Sequence, residues 1–228
     1  MMRVGLVGGT GKLGRGLALR LGGAGHEVWL GSRDAGRAEQ VAAELGVDGV
    51  RPATNAAACA ATDIVVVVVP YRGQTHILRG LVEPTAGKQV VSAVVPLVVD
   101  AAGPRPLDVP EGSAAEQCQA LLGDARIVAG LQWVPAPSLL KLDTVLEMDV
   151  PLCSDDAAAA AAAVELCDAV KGLRAFHAGP LQLARSLEGL TPLLISVNQR
   201  YHGHTSIRFP GLNLATGERE ARAHGAKR

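Results

Sequence analysis

The stretch VGLVGGTGKLG, residues 4–14, decides the fold. A short β-rich run, Arg3–Val7, meets a glycine turn, and Leu13–Leu21 then places apolar residues at helical spacing. Gly9, Gly11 and Gly14 satisfy the G-x-G-x-x-G spacing. Glycine at such a turn lets the backbone approach a pyrophosphate. The helix that opens there adds N–H groups and a favourable dipole. The strand–turn–helix setting is what separates a dinucleotide fingerprint from a merely glycine-rich turn.

Outward from this loop, GHEVWLGSRDAGR (residues 25–37) reads as a second strand, Glu27–Gly31, and the start of a helix, Asp34–Leu45, stopped by Gly46. An NAD site places a carboxylate just past this strand, where it accepts from the ribose hydroxyls. Here the chain offers Ser32, Arg33 and Arg37. A 2′-phosphate needs donors and positive charge, and a guanidinium can fork onto its oxygens. Arginine at a helix start is mildly unfavourable on dipole grounds, which a bound phosphate would offset. The cluster therefore predicts NADP(H) as the cofactor, in preference to NAD.

Strand and helix keep alternating. A third strand is expected around Arg51–Thr54, with Asn55 capping a brief helix to Ala61. Asp63–Val69 and Gln89–Val95 are continuous aliphatic runs, suited to parallel strands buried on both faces. Ser113 caps a helix Ala114–Leu122, Arg126–Leu131 and Asp143–Cys153 read as strands, and Ser154, Asp155 and Asp156 cap an alanine-rich helix. Leu173–His177 is a last sheet strand, Pro180 to Tyr201 is helical, and Ser206–Phe209 is a short β-like piece. The fold class expected is α/β, a Rossmann-type doubly wound, mainly parallel sheet with a small C-terminal helical cap. The boundaries expected are 1–178 for the NADP-binding domain, 179–212 for the cap and 213–228 for a polar, mobile tail. Pro70-Tyr71-Arg72, Val95-Pro96 and Leu131–Ala136 follow sheet strands at their carboxyl ends, where ligands bind in such folds.

Composition narrows the function. Formal net charge is zero with no basic stripe, which argues against nucleic acid as a partner. The longest aliphatic run, Ile64–Val69, is far too short to span a bilayer. The chain opens on a strand without a signal peptide, and its four cysteines are far apart, as expected of reduced thiols in a cytoplasmic protein. His202-Gly203-His204 lacks an acidic or thiol partner, so no metal is expected. No Ser–His–Asp grouping and no close carboxylate pair announces hydrolysis.

The same residues carry a family resemblance. MRVGLVGGTGKLGRGLALRL and GHEVWLGSR strongly resemble the NADPH-dependent coenzyme F420 reductases, the reduced F420:NADP oxidoreductases of archaea and actinobacteria. VVSAVVPL, EGSAAEQ, DVPLCSDD, GLRAFHAGPL and LTPLLISVNQRYHGHTSIRFPGL continue it in order to about Leu212. The resemblance implies hydride exchange between NADP(H) and the deazaflavin coenzyme F420 as second substrate, in a homodimer or higher homo-oligomer. It puts Thr10, Gly11, Lys12 and Leu13 on the pyrophosphate loop, and Ser32, Arg33 and Arg37 on the 2′-phosphate. Val69, Gly73, Val95 and Ala136 fall near the nicotinamide, and Gln132 and Thr205 join them as cofactor-binding positions. Two places depart from the family pattern: Gln132-Trp133 stands where a histidine and a second polar residue are common, and Gly189 where some members carry serine.

Direct hydride transfer between stacked rings needs placement more than an acid or base, so no catalytic side chain is expected. Gln132 carries no charge, which predicts little pH response from this position between about 6 and 8. Trp133 is expected either to stack on the deazaflavin or to block its place. The rival readings are an NADP-dependent reductase of a small carbonyl or imine, with Tyr71, Lys141 or His177 as proton donor, and a non-catalytic NADP sensor.

Overall fold

The computed structural model describes residues 1–214. The chain runs β1 (Arg3–Val7), α1 (Lys12–Gly23), β2 (Glu27–Ser32), α2 (Ala35–Leu45), β3 (Val50–Thr54), α3 (Asn55–Ala60), β4 (Ile64–Val67), α4 (Tyr71–Arg79), α5 (Val82–Thr85) and β5 (Gln89–Ser92). A hairpin follows, β6 (Leu97–Asp100) and β7 (Gly103–Pro106), then α6 (Ala114–Leu122), β8 (Arg126–Ala129) and α7 (Ala136–Leu139). The chain closes with β9 (Met148–Cys153), α8 (Ala157–Asp168), β10 (Leu173–Gly179), a 3-10 turn at Leu181–Leu183 and α9 (Ala184–Tyr201).

Eight strands form one sheet in the order β10-β9-β8-β5-β4-β1-β2-β3. Every neighbouring pair is parallel except β8 with β9, which meet antiparallel through Ala129 and Cys153. The expected doubly wound sheet is therefore present. Its order reverses between β1 and β4, and the crevice above that reversal is where such folds bind ligands. The aliphatic runs became the buried strands: Ile64, Val65, Val66, Val67, Val90 and Val91 all lie in the core. Only Ile64–Val67 and Gln89–Ser92 of these runs pair in the sheet. Val68 and Val69, past the end of β4, line the crevice instead.

Local chemistry sets the helix boundaries. Asp34, Thr54, Ser113 and Asp156 each accept the N–H of the residue three positions on, so each caps its helix. The cap of α3 is thus Thr54, one residue before the expected Asn55; Asn55 begins the helix, and its side chain turns elsewhere. Gly46 ends α2 in the left-handed conformation. At the end of α3, the Lys88 ammonium donates to the carbonyls of Cys59, Ala60 and Thr62 at 2.5, 3.0 and 2.7 Å.

Two expectations are corrected in shape. The strand expected from Asp143 starts only at Met148. Ser206–Phe209 is not a sheet strand, but it is fastened to one: Asp149 N–H donates to the Ile207 carbonyl at 2.9 Å, and Phe209 N–H to the Asp149 carboxylate at 2.5 Å. The C-terminal segment is packed onto the main core, with Leu181, Ala184 and Leu187 in the same cluster as the sheet residues. No helix among the described residues is long and apolar enough to cross a membrane. The expected mobile tail, 213–228, falls outside the described residues from 215 onward.

Candidate functional site

β1 delivers the chain to the crevice, and the glycine turn takes it into α1. Gly8 sits at φ +76°, a conformation glycine adopts without a Cβ clash. Its N–H donates to Asn55 Oδ1 at 3.0 Å, and the Gly9 N–H to the Gly31 carbonyl at 2.8 Å. These bonds pin the turn to α3 and β2. Gly11 precedes α1 with no side-chain cap, and the first turn of α1 holds no acidic residue. The donors of that turn are thus free for an anion. Gly14 lets the helix press against the turn, since a Cβ there would stand 2.5 Å from Gly9 Cα and meet the Gly9 carbonyl oxygen as well. Gly14→Ala should therefore force the turn open, costing about 1–3 kcal/mol of stability and roughly tenfold in NADPH affinity. Unfolding and fluorescence titration measure both, and a variant that binds NADPH as tightly as the wild type would remove this role.

The turn forms one end of a cleft of about 880 Å³ lined by Gly8, Thr10, Gly11, Lys12, Ser32 and Arg33, then Asp34, Arg37, Asn55, Val68, Val69, Pro70, Gly73 and Ile77. Eight of the residues expected at the cofactor are among them: Thr10, Gly11, Lys12, Ser32, Arg33, Arg37, Val69 and Gly73. Ser32 ends β2, and its hydroxyl accepts the Asp34 N–H at 3.2 Å, leaving its own proton to donate. Arg33 is exposed and forms no ion pair among the described residues. The Arg37 guanidinium donates to Gln40 at 2.8 Å. Among the described residues, Asp34 is the one carboxylate on this wall, and it accepts the Arg37 N–H as the cap of α2. Two cations and a hydroxyl against one engaged carboxylate favour a phosphorylated ribose.

Sequence reasoning missed Asn55 as part of this site. It is buried, and its carboxamide holds Gly8 while lining the cleft. Its place just after an expected strand on the carboxyl edge of the sheet was the available signal.

Five expected residues lie outside the cleft lining. Leu13 turns from the loop to pack on the core. Val95 is half-buried past β5, and Ala136 opens α7. The α7 segment is sewn to α1: the Arg20 guanidinium donates to the carbonyls of Ser138, Leu139, Lys141 and Thr144 at 2.5–3.1 Å. Gln132 is buried, its carboxamide N–H donating to the Ser92 carbonyl at 3.2 Å, while the Ser92 hydroxyl is buried without a partner. Thr205 stands past α9, with its N–H and hydroxyl both on Asn198 Oδ1, at 2.6 and 2.8 Å. Its polar groups serve the end of that helix.

Trp133 departs from the stacking alternative. Its indole is only 6% exposed, belongs to the core and donates to the Asp149 carbonyl at 3.1 Å. Its ring presents no open face on which a deazaflavin could stack.

Of the proton donors a carbonyl reductase would need, His177 sits on β10 at the far edge of the sheet, its Nε2 shared between the carbonyls of Ser154 and Gly179. Lys141 is exposed in the loop after α7. Tyr71, next to Pro70 of the cleft, is the one of the three beside the site. A second hollow of about 570 Å³ near the start of α6 is lined by Glu111, Glu116 and Asp155, a charge unsuited to an anionic cofactor.

One buried carboxylate stands out. Glu188 of α9 accepts the N–H groups of Ala114 and Ala115 at 2.9 and 3.1 Å. Burial pushes its pKa up to about 7, against the two N–H bonds, with Glu116 adding repulsion. The folded value lies above the ordinary one of 4.5. The stability this group contributes is therefore complete below about 4.5 and is lost as pH rises through about 7. The melting temperature of the wild type relative to Glu188→Gln should accordingly fall between about pH 5 and pH 8. A difference that stays constant across that range would contradict the assignment.

A doubly wound sheet with a glycine-turn cleft at its reversal point defines a dinucleotide-binding protein. Over residues 3–96 the sequence matches the family described as NADP oxidoreductase, coenzyme F420-dependent. It is 37% identical over 224 residues to the F420-dependent NADP reductase of Methanothermobacter thermautotrophicus, covering 94% of this chain and 95% of that protein. The F420-dependent NADP reductase of Methanocaldococcus jannaschii is 33% identical, covering 93% of this chain and 100% of its own. A crystal structure from Arthrobacter sp. FB24, assigned as an F420-dependent NADP reductase, superposes with a TM-score of 0.79 at 25% identity, covering 90% of this chain and 97% of that one. The chain belongs to the F420-dependent NADP reductase family.

Proposed function

We propose that this protein transfers a hydride between NADP(H) and coenzyme F420. The observation that carries the reading is identity at 33–37% along almost the whole chain to relatives named for that reaction. The cleft supports it independently. The glycine turn and the first turn of α1 fit a pyrophosphate. Ser32, Arg33 and Arg37 fit a ribose phosphate, and Val69 past β4 and Gly73 in the first turn of α4 line the same cleft, where the nicotinamide half would extend.

NADPH supplies the hydride from its nicotinamide ring, and F420 takes it up on its deazaflavin ring. The protein's share is placement. Lys12 and the α1 donors hold the phosphates, the β2 end fixes the adenosine half, and the apolar wall of Val68, Val69 and Ile77 keeps water from one flank. We assign the second ring to the neighbouring carboxyl edge, near Gln132, with Val95 and Ala136 left to the nicotinamide. Transfer by placement asks no acid–base pair of the surrounding side chains.

The cap, residues 179–212, carries exposed Leu193, Tyr201, Phe209 and Leu212, which favours a homo-oligomer assembled through this segment. Four buried free thiols suit a cytoplasmic setting. Mixing the protein with NADPH and oxidised F420 tests the reaction. Loss of the deazaflavin's visible absorbance at the rate of NADPH oxidation is expected, and unchanged absorbance would overturn the proposal.

A further inference from the structure

Helix α9 is fastened at two points on one face. Glu188 grips the start of α6, and Thr191, three residues on and so on the same side, donates its hydroxyl to the Gln132 carbonyl at 3.2 Å. Gln132 in turn holds the Ser92 carbonyl at the carboxyl end of β5. Its predecessor, Leu131, sits at φ +71°, a left-handed conformation unusual for a residue with a Cβ. Such strain persists only where the surroundings impose it, and it gathers at functional sites.

The start of α6 is already capped in the ordinary way: Ser113 Oγ accepts the Glu116 N–H at 3.0 Å. Glu188 satisfies two donors that Ser113 does not reach, and it does so from another helix. No cation is among its partners within the described residues, and Arg185, one turn earlier on α9, reaches toward Asp108 instead. A carboxylate 3% exposed without a cation is a costly way to hold a helix. Its return is a fixed angle between α9 and α6, because both of its oxygens are engaged by consecutive backbone groups.

We propose that Glu188 is a positioning residue for the deazaflavin substrate: by locking α9 onto α6 it holds Thr191 against Gln132 and so keeps the strained Leu131–Gln132 turn in place at the edge of β5. The inference rests on the function proposed above. The NADP cleft is lined by the ends of β1, β2 and β4 and by α1 to α4, whereas Glu188 holds α6 and Thr191 holds the Gln132 turn. Helix α4 touches α6 through Gln74, whose amide donates to the Ala114 carbonyl at 2.9 Å, so Thr191→Val, which leaves that contact alone, is the variant that separates the two ligands.

The test measures F420 kinetics and NADPH binding in Glu188→Gln and in Thr191→Val, with circular dichroism confirming the fold. In Glu188→Gln the carboxamide offers one acceptor oxygen where the carboxylate offers two. In Thr191→Val the hydroxyl that donates to the Gln132 carbonyl is gone. Each change should raise KM for F420 about tenfold and leave the NADPH dissociation constant within about twofold. A variant of general structural weakness would lose both ligands alike. Equal losses of NADPH and F420 in both variants, or an unchanged KM in both, overturn the inference while leaving the reaction intact. Wild-type protein unable to reduce F420 overturns the proposed function and this inference with it. Thr191→Val keeps the test decisive should Glu188→Gln fold poorly.

Discussion

Replacing Arg33 and Arg37 together by alanine should weaken NADPH binding roughly a hundredfold and leave NADH binding within about twofold. Both guanidiniums line the cleft at the end of β2, where only the phosphorylated cofactor carries an extra dianion. Arg33 forms no ion pair among the described residues, so its full donor set is available. Arg37 already spends one N–H on Gln40, and Arg33→Ala alone should therefore cost more than Arg37→Ala alone. Arg33 is solvent-exposed, so the effect should shrink as ionic strength rises. Fluorescence titration of the two reduced cofactors at low and high salt measures all three points. Equal weakening of NADPH and NADH would show that the arginines support the cleft and do not read the phosphate.

Trp133→Ala should destabilise the protein by about 3–5 kcal/mol, a loss of roughly 10 °C in melting temperature. The indole fills the core and its N–H has a fixed partner in the Asp149 carbonyl. Asp149 is itself a hub. Its carboxylate takes two bonds from Arg174, at 2.7 and 2.6 Å, and one from the Phe209 N–H. Arg174 holds that carboxyl well below its usual range, so the hub stays charged at neutral pH. Removing the indole leaves a cavity beside this hub and frees a carbonyl. Trp133→Phe should cost less, since it keeps most of the volume and loses the bond. Urea unfolding ranks the two. An alanine variant as stable as the wild type, but altered in F420 affinity, would restore the indole to the ligand.

The fold was legible because its signals are local. The glycine turn, the unbroken valine runs and the capping residues each act within a few positions, so each was legible to within a residue or a strand end, as with Thr54 capping α3 beside the expected Asn55. The hairpin β6–β7 escaped notice for the same reason in reverse: Gly103, Pro104 and Pro106 read as breakers, yet they pair with Leu97–Asp100 in a two-stranded ribbon apart from the main sheet. Among the expected site residues, those on the β1 and β2 turns come together in one cleft, because they lie close to the fingerprint itself. The second half could not be read this way. Whether Trp133 faces a ligand or the core depends on Asp149, sixteen positions on, and Thr205 is spoken for by Asn198. Glu188 in a helical pattern reads as a solvated charge. Only the approach of α6, some seventy residues earlier in the chain, makes it a buried clasp.

Following the label from NADPH deuterated at the nicotinamide C4 position tests the central claim most directly. With two rings placed face to face and the transfer carried by placement, the hydride should pass without meeting water. The account predicts deuterium at C5 of the reduced F420 and none released to solvent. Deuterium in the water, with unlabelled reduced F420, would contradict it.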